Sequence, residues 1–221
     1  MVDDPLVGVI GALCVVSAAL VAIIAVYSVR SRRRHRDRMR QWADRHGWTL
    51  TSHPDVDWGR RLPGGNRHGV DDMFSSVLHG RPVSVAEYSV TDASDGTTTN
   101  THHYVVTVTT LARRFPSTQI EARGRVSRLK SRLVGPGDCA TGNADFDRAF
   151  RLRTTEPATL PQWFSAPLIA AHLSGRVPVP WSVQGNQLLC HRPGRLDPDE
   201  VPGHAAIVLP LATLLDGYGG A

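Results

Sequence analysis

"RPVSVAEYSVT" at residues 81–91 and "THHYVVTVTTLA" at residues 101–112 decide the fold class. Both runs are dense in Val, Thr and Tyr, whose branched or aromatic side chains suit a pleated, half-buried surface. Between them lies the polar "DASDGTTTN" of residues 92–100, a stretch with turn chemistry. Two such strands joined this way predict an antiparallel β-hairpin with a long, floppy tip.

Working outward, residues 52–70, with Pro54, Pro63 and several glycines, predict a mobile loop. Downstream, Pro116 interrupts the chain, "TQIEAR" (118–123) reads as a further short strand, and "RVSRLKSRL" (125–133) reads as a helix. That helix sets Val126, Leu129 and Leu133 on one face and Arg125, Arg128 and Arg132 on the other. "DFDRAFRLRTT" (145–155) reads as a helix passing into a strand, followed from about Pro157 by a helical stretch carrying Leu160, Trp163, Phe164, Leu168, Ile169 and Leu173. In "PWSVQGNQLLCH" (180–191), Gly185-Asn186 between apolar runs predicts a tight hairpin. Pro202 and Pro210 predict a broken closing helix. Neighbouring hairpins with helices after them give an antiparallel α+β class.

The amino-terminal part has a different composition. Leu6 to Val29 is 24 residues without a charge, and as a helix it would measure ~36 Å at 1.5 Å per residue against ~30 Å of hydrocarbon. The leader "MVDDP" is acidic, unlike a secretory signal, and Leu13 stands before Cys14 where a lipoprotein signal needs a small residue. Immediately after the run come seven arginines, Arg30, Arg32, Arg33, Arg34, Arg36, Arg38 and Arg40. Basic residues beside a first span stay inside the cell, and they face anionic lipid headgroups. The expected organisation is therefore a short extracytoplasmic tail at 1–5, a transmembrane helix at 6–29, an Arg-rich juxtamembrane helix at 30–47 and a cytoplasmic α+β domain at 48–221. The expected location is the plasma membrane, single-pass, with the amino terminus outside. Gly8 with Ala12 and Ala18 with Ala22 are small residues four apart that would let two spans approach as a homodimer.

Charge excludes one class of partner. Of 25 basic and 20 acidic residues, seven Arg and Asp37 fall in 30–40 and Asp3 and Asp4 in the leader, which leaves 18 basic and 17 acidic residues elsewhere. A domain so nearly neutral lacks the excess of Lys and Arg that holds a phosphate backbone, so no nucleic acid is expected.

"WADRHGW" (42–48), "GRPVSVAEYSVT" (80–91), "THHYVV" (101–106), "FDRAFRL" (146–152) and "VQGNQLLCHRPGRLDP" (183–198) follow the outward tail and span in order. In this the chain resembles a group of actinobacterial single-span membrane proteins with a cytoplasmic domain of unassigned activity. The resemblance implies a membrane-anchored α+β domain and carries over no catalytic residues. Pro202 and Pro210 depart from the more continuous closing helix that it implies.

No constellation carries obvious chemistry. His102 and His103, beside Asp92 and Asp95, are the best metal candidates, but adjacent strand residues point to opposite faces. His68 and His79 lack zinc spacing, and Cys139 and Cys190 lack a C-x-x-C partner. "GRRLPGGNRHG" (59–69) is glycine-rich without the phosphate-cradling G-x-x-x-x-G-K-[ST]. There is no G-x-S-x-G elbow to activate Ser75 or Ser76, and Asp71-Asp72 and Asp199-Glu200 read as turn or helix-start acids. No catalytic residue, metal site or cofactor is assigned. The expected function is a binding or scaffold module at the inner face of the membrane, its partners the bilayer, its headgroups and an unidentified protein. The alternatives are a membrane-tethered, hydrolase-like enzyme with a site assembled from distant residues, and an envelope regulator acting through span dimerisation.

Overall fold

The computed structural model describes residues 27, 30, 34, 36–94, 98–124 and 138–217. The chain divides into two units, 1–46 and 47–221. In the first, residues 36–46 form helix α1, in which the His46 ring stacks on Trp42 at 4.4 Å between centroids. Gly47, with φ of 71°, takes the left-handed turn that ends it. Arg30, Arg34, Arg36, Arg38 and Arg40 are exposed and helical, while Arg32 and Arg33 lie outside the described residues.

The expected transmembrane helix is corrected here. Among the described residues no helix is long and apolar enough to cross a membrane. The most apolar long helix has 16 residues, or ~24 Å at 1.5 Å per residue, short of the ~30 Å needed. The expected span at 6–29, with Gly8, Ala12, Ala18 and Ala22, lies outside the described residues except for Tyr27. The single-pass, plasma-membrane location and the membrane-surface role of the arginines therefore rest on no observed spanning element, and the architecture is an antiparallel sheet with flanking helices.

The second unit is built on six strands: β1 (Thr49–Ser52), β2 (Val70–Leu78), β3 (Arg81–Ser94), β4 (Thr98–Ala122), β5 (Phe150–Thr154) and β6 (Trp181–Pro193). They pair antiparallel in the order β1-β2-β3-β4-β5, with β6 also on β4. β4 is 25 residues long. β6 lines one of its edges from Tyr104 to Ile120, while β3 takes the other edge up to Thr109 and β5 takes it from Thr118 to Ala122. The predicted hairpin is the β3–β4 pair, with Tyr88 opposite Tyr104.

Three helices flank the sheet: α2 (Ala144–Ala149), α3 (Ala166–Leu173) and α4 (Val201–Asp216). Strand alternation gives two buried faces. Ala86, Tyr88, Val90, Val106 and Val108 pack with Trp58 and Leu62. The opposite face bears Val83, Val85 and Val105, and α4 packs on β3 and β4 there, with Thr107 Oγ1 3.5 Å from His204 O.

Four local expectations change. The 52–70 segment is a cover for the first sheet face: two 3₁₀ turns, Trp58–Arg61 and Pro63–Gly65, present Trp58 and Leu62, which are 5% and 1% exposed. Pro116 does not end β4, because the register slips between Thr110 and Thr118 and no ladder bond is asked of it. Gly185-Asn186 is not a hairpin turn; β6 runs through it, and Gly185, with φ of 58°, sits opposite Phe115 where that register slips. The closing helix is unbroken, since Pro202 stands in the first turn where its N–H is not needed, and α4 continues through Pro210. The helix expected at 125–133 lies outside the described residues, and so do 95–97 of the long tip expected at 92–100, the rest of which is paired strand, with residue 92 opposite 100 and 94 opposite 98.

The cover segment is held by Tyr88, whose hydroxyl donates to Pro63 O at 2.8 Å and accepts from Asn66 N at 2.9 Å. Tyr88→Phe is expected to lower the unfolding free energy by about 1–3 kcal/mol, because two backbone groups lose their partner. Urea denaturation measures the loss, and limited proteolysis is expected to cut first within 52–69.

Candidate ligand cleft

Two helices almost free of ionic side chains border an open cavity. α3 reads "APLIAAHL", and α4 carries no Asp, Glu, Lys or Arg from Val201 to Leu215. Ser165 caps α3, its Oγ accepting from Leu168 N at 3.4 Å, and Gly175, with φ of 67°, turns the chain after it. Between α3 and α4 lies an open cleft of about 700 Å³. Pro167 and Ala171 line it from α3, Ala206, Leu209, Pro210, Thr213 and Leu214 from α4, and Arg176 and Val177 from the segment after α3. His79 joins them from the β2–β3 turn, where its φ is 52°. Among the described residues no carboxylate lines the cleft. Arg176 donates from Nε to Ser174 Oγ at 3.0 Å and makes no ion pair among the described residues. Leu173 and Ile207, at 45% and 48% exposed, extend the apolar surface of the same two helices.

The walls of the cleft are pinned from behind. His172, next to Ala171, is 2% exposed within a cage of Phe146, Phe150, Phe164 and Trp181. Its Nδ1 lies 2.7 Å from Leu168 O and its Nε2 accepts from Trp181 Nε1 at 2.8 Å, so the ring is neutral with its proton on Nδ1. Burial lowers its pKa accordingly. The start of α4 is held to β6, where Arg192 Nη2 lies 2.7 Å from His204 Nε2 and 2.9 Å from Glu200 Oε2. Burial and the Arg192 charge lower the His204 pKa. At the other end of α4, Asp216 pairs with Arg81 at 2.6 Å and accepts from Ala112 N at 2.9 Å.

The residues weighed for chemistry do not converge. His103 Nδ1 pairs with Glu87 Oε1 at 2.9 Å, and its Nε2 lies 3.2 Å from Arg195 Nη2, which makes a polar clasp between β3, β4 and the chain after β6. Among the described residues no group of three or more His, Cys, Asp or Glu is placed to hold a metal ion. Cys139 and Cys190 are free, and burial pushes the Cys190 thiol pKa up, which leaves it unreactive. Asp72 accepts from Ser52 Oγ at 2.7 Å, and Ser75 bonds Ser84 at 2.9 Å. Of the residues weighed for chemistry in the sequence, His79 is the one that lines the cleft among the described residues. The rest of the lining is Ala, Val, Leu and Pro with Thr213 and an unremarked arginine; the available signal was a closing helix with no Asp, Glu, Lys or Arg from Val201 to Leu215, since a surface helix ordinarily has a polar side.

No family model matches the chain, and no curated protein matches it. One solved structure does: the crystal structure of the mycobacterial trehalose monomycolate transport factor A, TtfA. The TM-score is 0.53 at 13% identity, over 81% of this chain and 93% of that one. The two chains share a fold.

Two tests follow from the pinning. Trp181→Phe removes the donor to His172 Nε2 and is expected to cost about 1–3 kcal/mol in urea denaturation. Stability is also expected to depend on pH. The pKa values of His172 and His204 are lowered and burial takes that of His191 to about 4, all from 6.5. Below 6.5 the unfolded chain binds protons that the folded one refuses. The unfolding free energy should therefore be flat from about pH 7 to about pH 8 and fall as pH drops from about 6.5 toward 4. Urea midpoints across that range check the sign.

Proposed function

We propose that this domain is a binding module that takes the hydrocarbon chain of an anionic amphiphile into the α3–α4 cleft, with Arg176 and His79 at the rim facing the head group. The observation that carries it is the cleft itself: about 700 Å³ of apolar lining whose ionisable groups are Arg176 and His79. That volume lies within the ordinary range for small-molecule sites, and an apolar wall with few polar groups is their usual make-up. The structural neighbour is a trehalose monomycolate transport factor, and a mycolate cargo for that protein accords with an acyl-sized cleft in this one. A protein helix laid into the same groove is the second reading, favoured by exposed Leu173 and Ile207 on its helices.

Fluorescence titration with dansyl-undecanoate, and displacement of it by unlabelled fatty acids of increasing length, tests the first reading. Each methylene buried is expected to contribute about 0.8 kcal/mol, or roughly fourfold in Kd, until the cleft is full. Ala206→Trp, at an exposed position lining the cleft, is expected to weaken binding at least ~10-fold, about 1.4 kcal/mol. Arg176→Ser is expected to weaken the acid but not the matching fatty alcohol. Affinity independent of chain length, or unchanged in Ala206→Trp, would exclude the acyl-chain reading.

A further inference from the structure

Away from the cleft, Arg61 is a cation with no carboxylate bonded to it among the described residues, and it is only 6% exposed. Its Nη2 faces three acceptors on β6: Ser182 O at 2.8 Å, Ser182 Oγ at 3.0 Å and Gln187 O at 3.3 Å. Its Nη1, buried as well, has no hydrogen-bond partner among the described residues. A guanidinium carries five N–H donors, and a buried one without an acceptor is costly. Arg61 lines a second, separate pocket of about 50 Å³ with Ser117, Thr118, Gln119 and Ser182. Ser182 Oγ accepts from Arg61 and so keeps its own proton for another acceptor. Asp57, in the same cover segment, supports the charge from a distance without an ion pair. Burial still outweighs it and brings the guanidinium pKa down to about 10, so the group stays charged at neutral pH and under-compensated.

We propose that Arg61 Nη1, with the hydroxyl of Ser182 that bonds Nη2 and lines the same pocket, forms a binding site for a small monovalent anion of chloride size. The volume suggests the class: about 50 Å³ is small beside the ~300–1,000 Å³ of ordinary small-molecule sites, which favours a monatomic ion over a branched organic anion. The guanidinium supplies the charge and the directed N–H donors, and no carboxylate lines the pocket to repel the ion. The bound anion would lock the cover segment, which carries Arg61, onto the β4–β6 ladder.

The full chain is melted in sodium chloride and in sodium gluconate at equal ionic strength, and crystals are soaked in sodium bromide. The site predicts a Tm that rises with the logarithm of chloride concentration relative to gluconate, and a bromide anomalous peak within hydrogen-bond distance of Arg61 Nη1. Arg61→Met should abolish the chloride dependence. Asp57→Asn removes the distant counter-charge and should strengthen that dependence, shifting the half-saturating chloride concentration down several-fold; this variant keeps the test open if Arg61→Met fails to fold. Equal melting in the two salts for the parent chain, water alone at Nη1 in the bromide soak, or weaker chloride dependence in Asp57→Asn would each overturn the proposal.

Discussion

The backbone ladder along β4 is the constraint on which the rest depends. One strand of 25 residues is paired on both edges at 104–109 and again at 118–120, by β6 on one side and by β3 and then β5 on the other, and on at least one edge over most of the rest. Because side chains alternate along it, each face of the sheet inherits a row of Val and Thr, and each needs a cover. The two covers differ. One is an irregular segment that lays Trp58 and Leu62 on the sheet and is fastened by Tyr88; the other is a single helix, α4. An irregular cover must satisfy its backbone by other means, which is why side-chain anchors such as Tyr88 and Arg61 concentrate there.

Helix α4 carries the functional argument because it is apolar on the side turned away from the sheet as well as the side turned toward it. Val201, Ala205, Val208, Leu211, Ala212 and Leu215 are buried, and the exposed positions between them are Pro202, Gly203, Ala206, Ile207, Pro210 and Thr213, with no charge among them. A helix so composed is kept in place by its ends: Arg192 with His204 and Glu200 at the start, Arg81 and Ala112 on Asp216 at the finish. α3 is fixed by one buried hydrogen bond, Trp181 to His172, inside a ring of aromatics. The walls of the cleft are thus set by polar contacts outside it, and the interior is left for apolar contact.

How much of this was legible depended on the kind of signal. The hairpin was readable because Val, Thr and Tyr alternate on both sides of a turn-forming stretch, and the helix-to-strand passage at "DFDRAFRLRTT" appears as α2 followed by β5. Breakers misled where tertiary structure absorbed them: Pro116 lies in a slipped register, Gly185 in the opposing strand at the same place, and Pro202 in a first turn. Each is a residue whose local preference holds and whose long-range consequence is invisible from its neighbours. The uncharged run at 6–29 was read by length and hydropathy as a span, and no described helix supplies one. The cleft was missed for a plainer reason. Most of its lining residues are Ala, Leu, Pro and Val, which carry no chemical signature in sequence and become a site only by being left uncovered.

Uncovered apolar surface is stored binding energy. Burying a side chain of the size of Leu or Ile contributes about 1.5–3 kcal/mol relative to leaving it in water, and Ile207, Leu209 and Leu214 remain partly or largely exposed on one helix. Folding alone forgoes that stabilisation, so whatever seats itself between α3 and α4 gains it. The gain is greatest for an occupant that is flexible, slender and apolar along its length, because the cleft is open and its floor is made of small residues such as Ala171 and Ala206. In the proposed binding mode Arg176 would set direction: a chain entering with its charged end at that guanidinium satisfies the cation, whereas the reverse orientation leaves a charge against Leu and Pro, where desolvation opposes it.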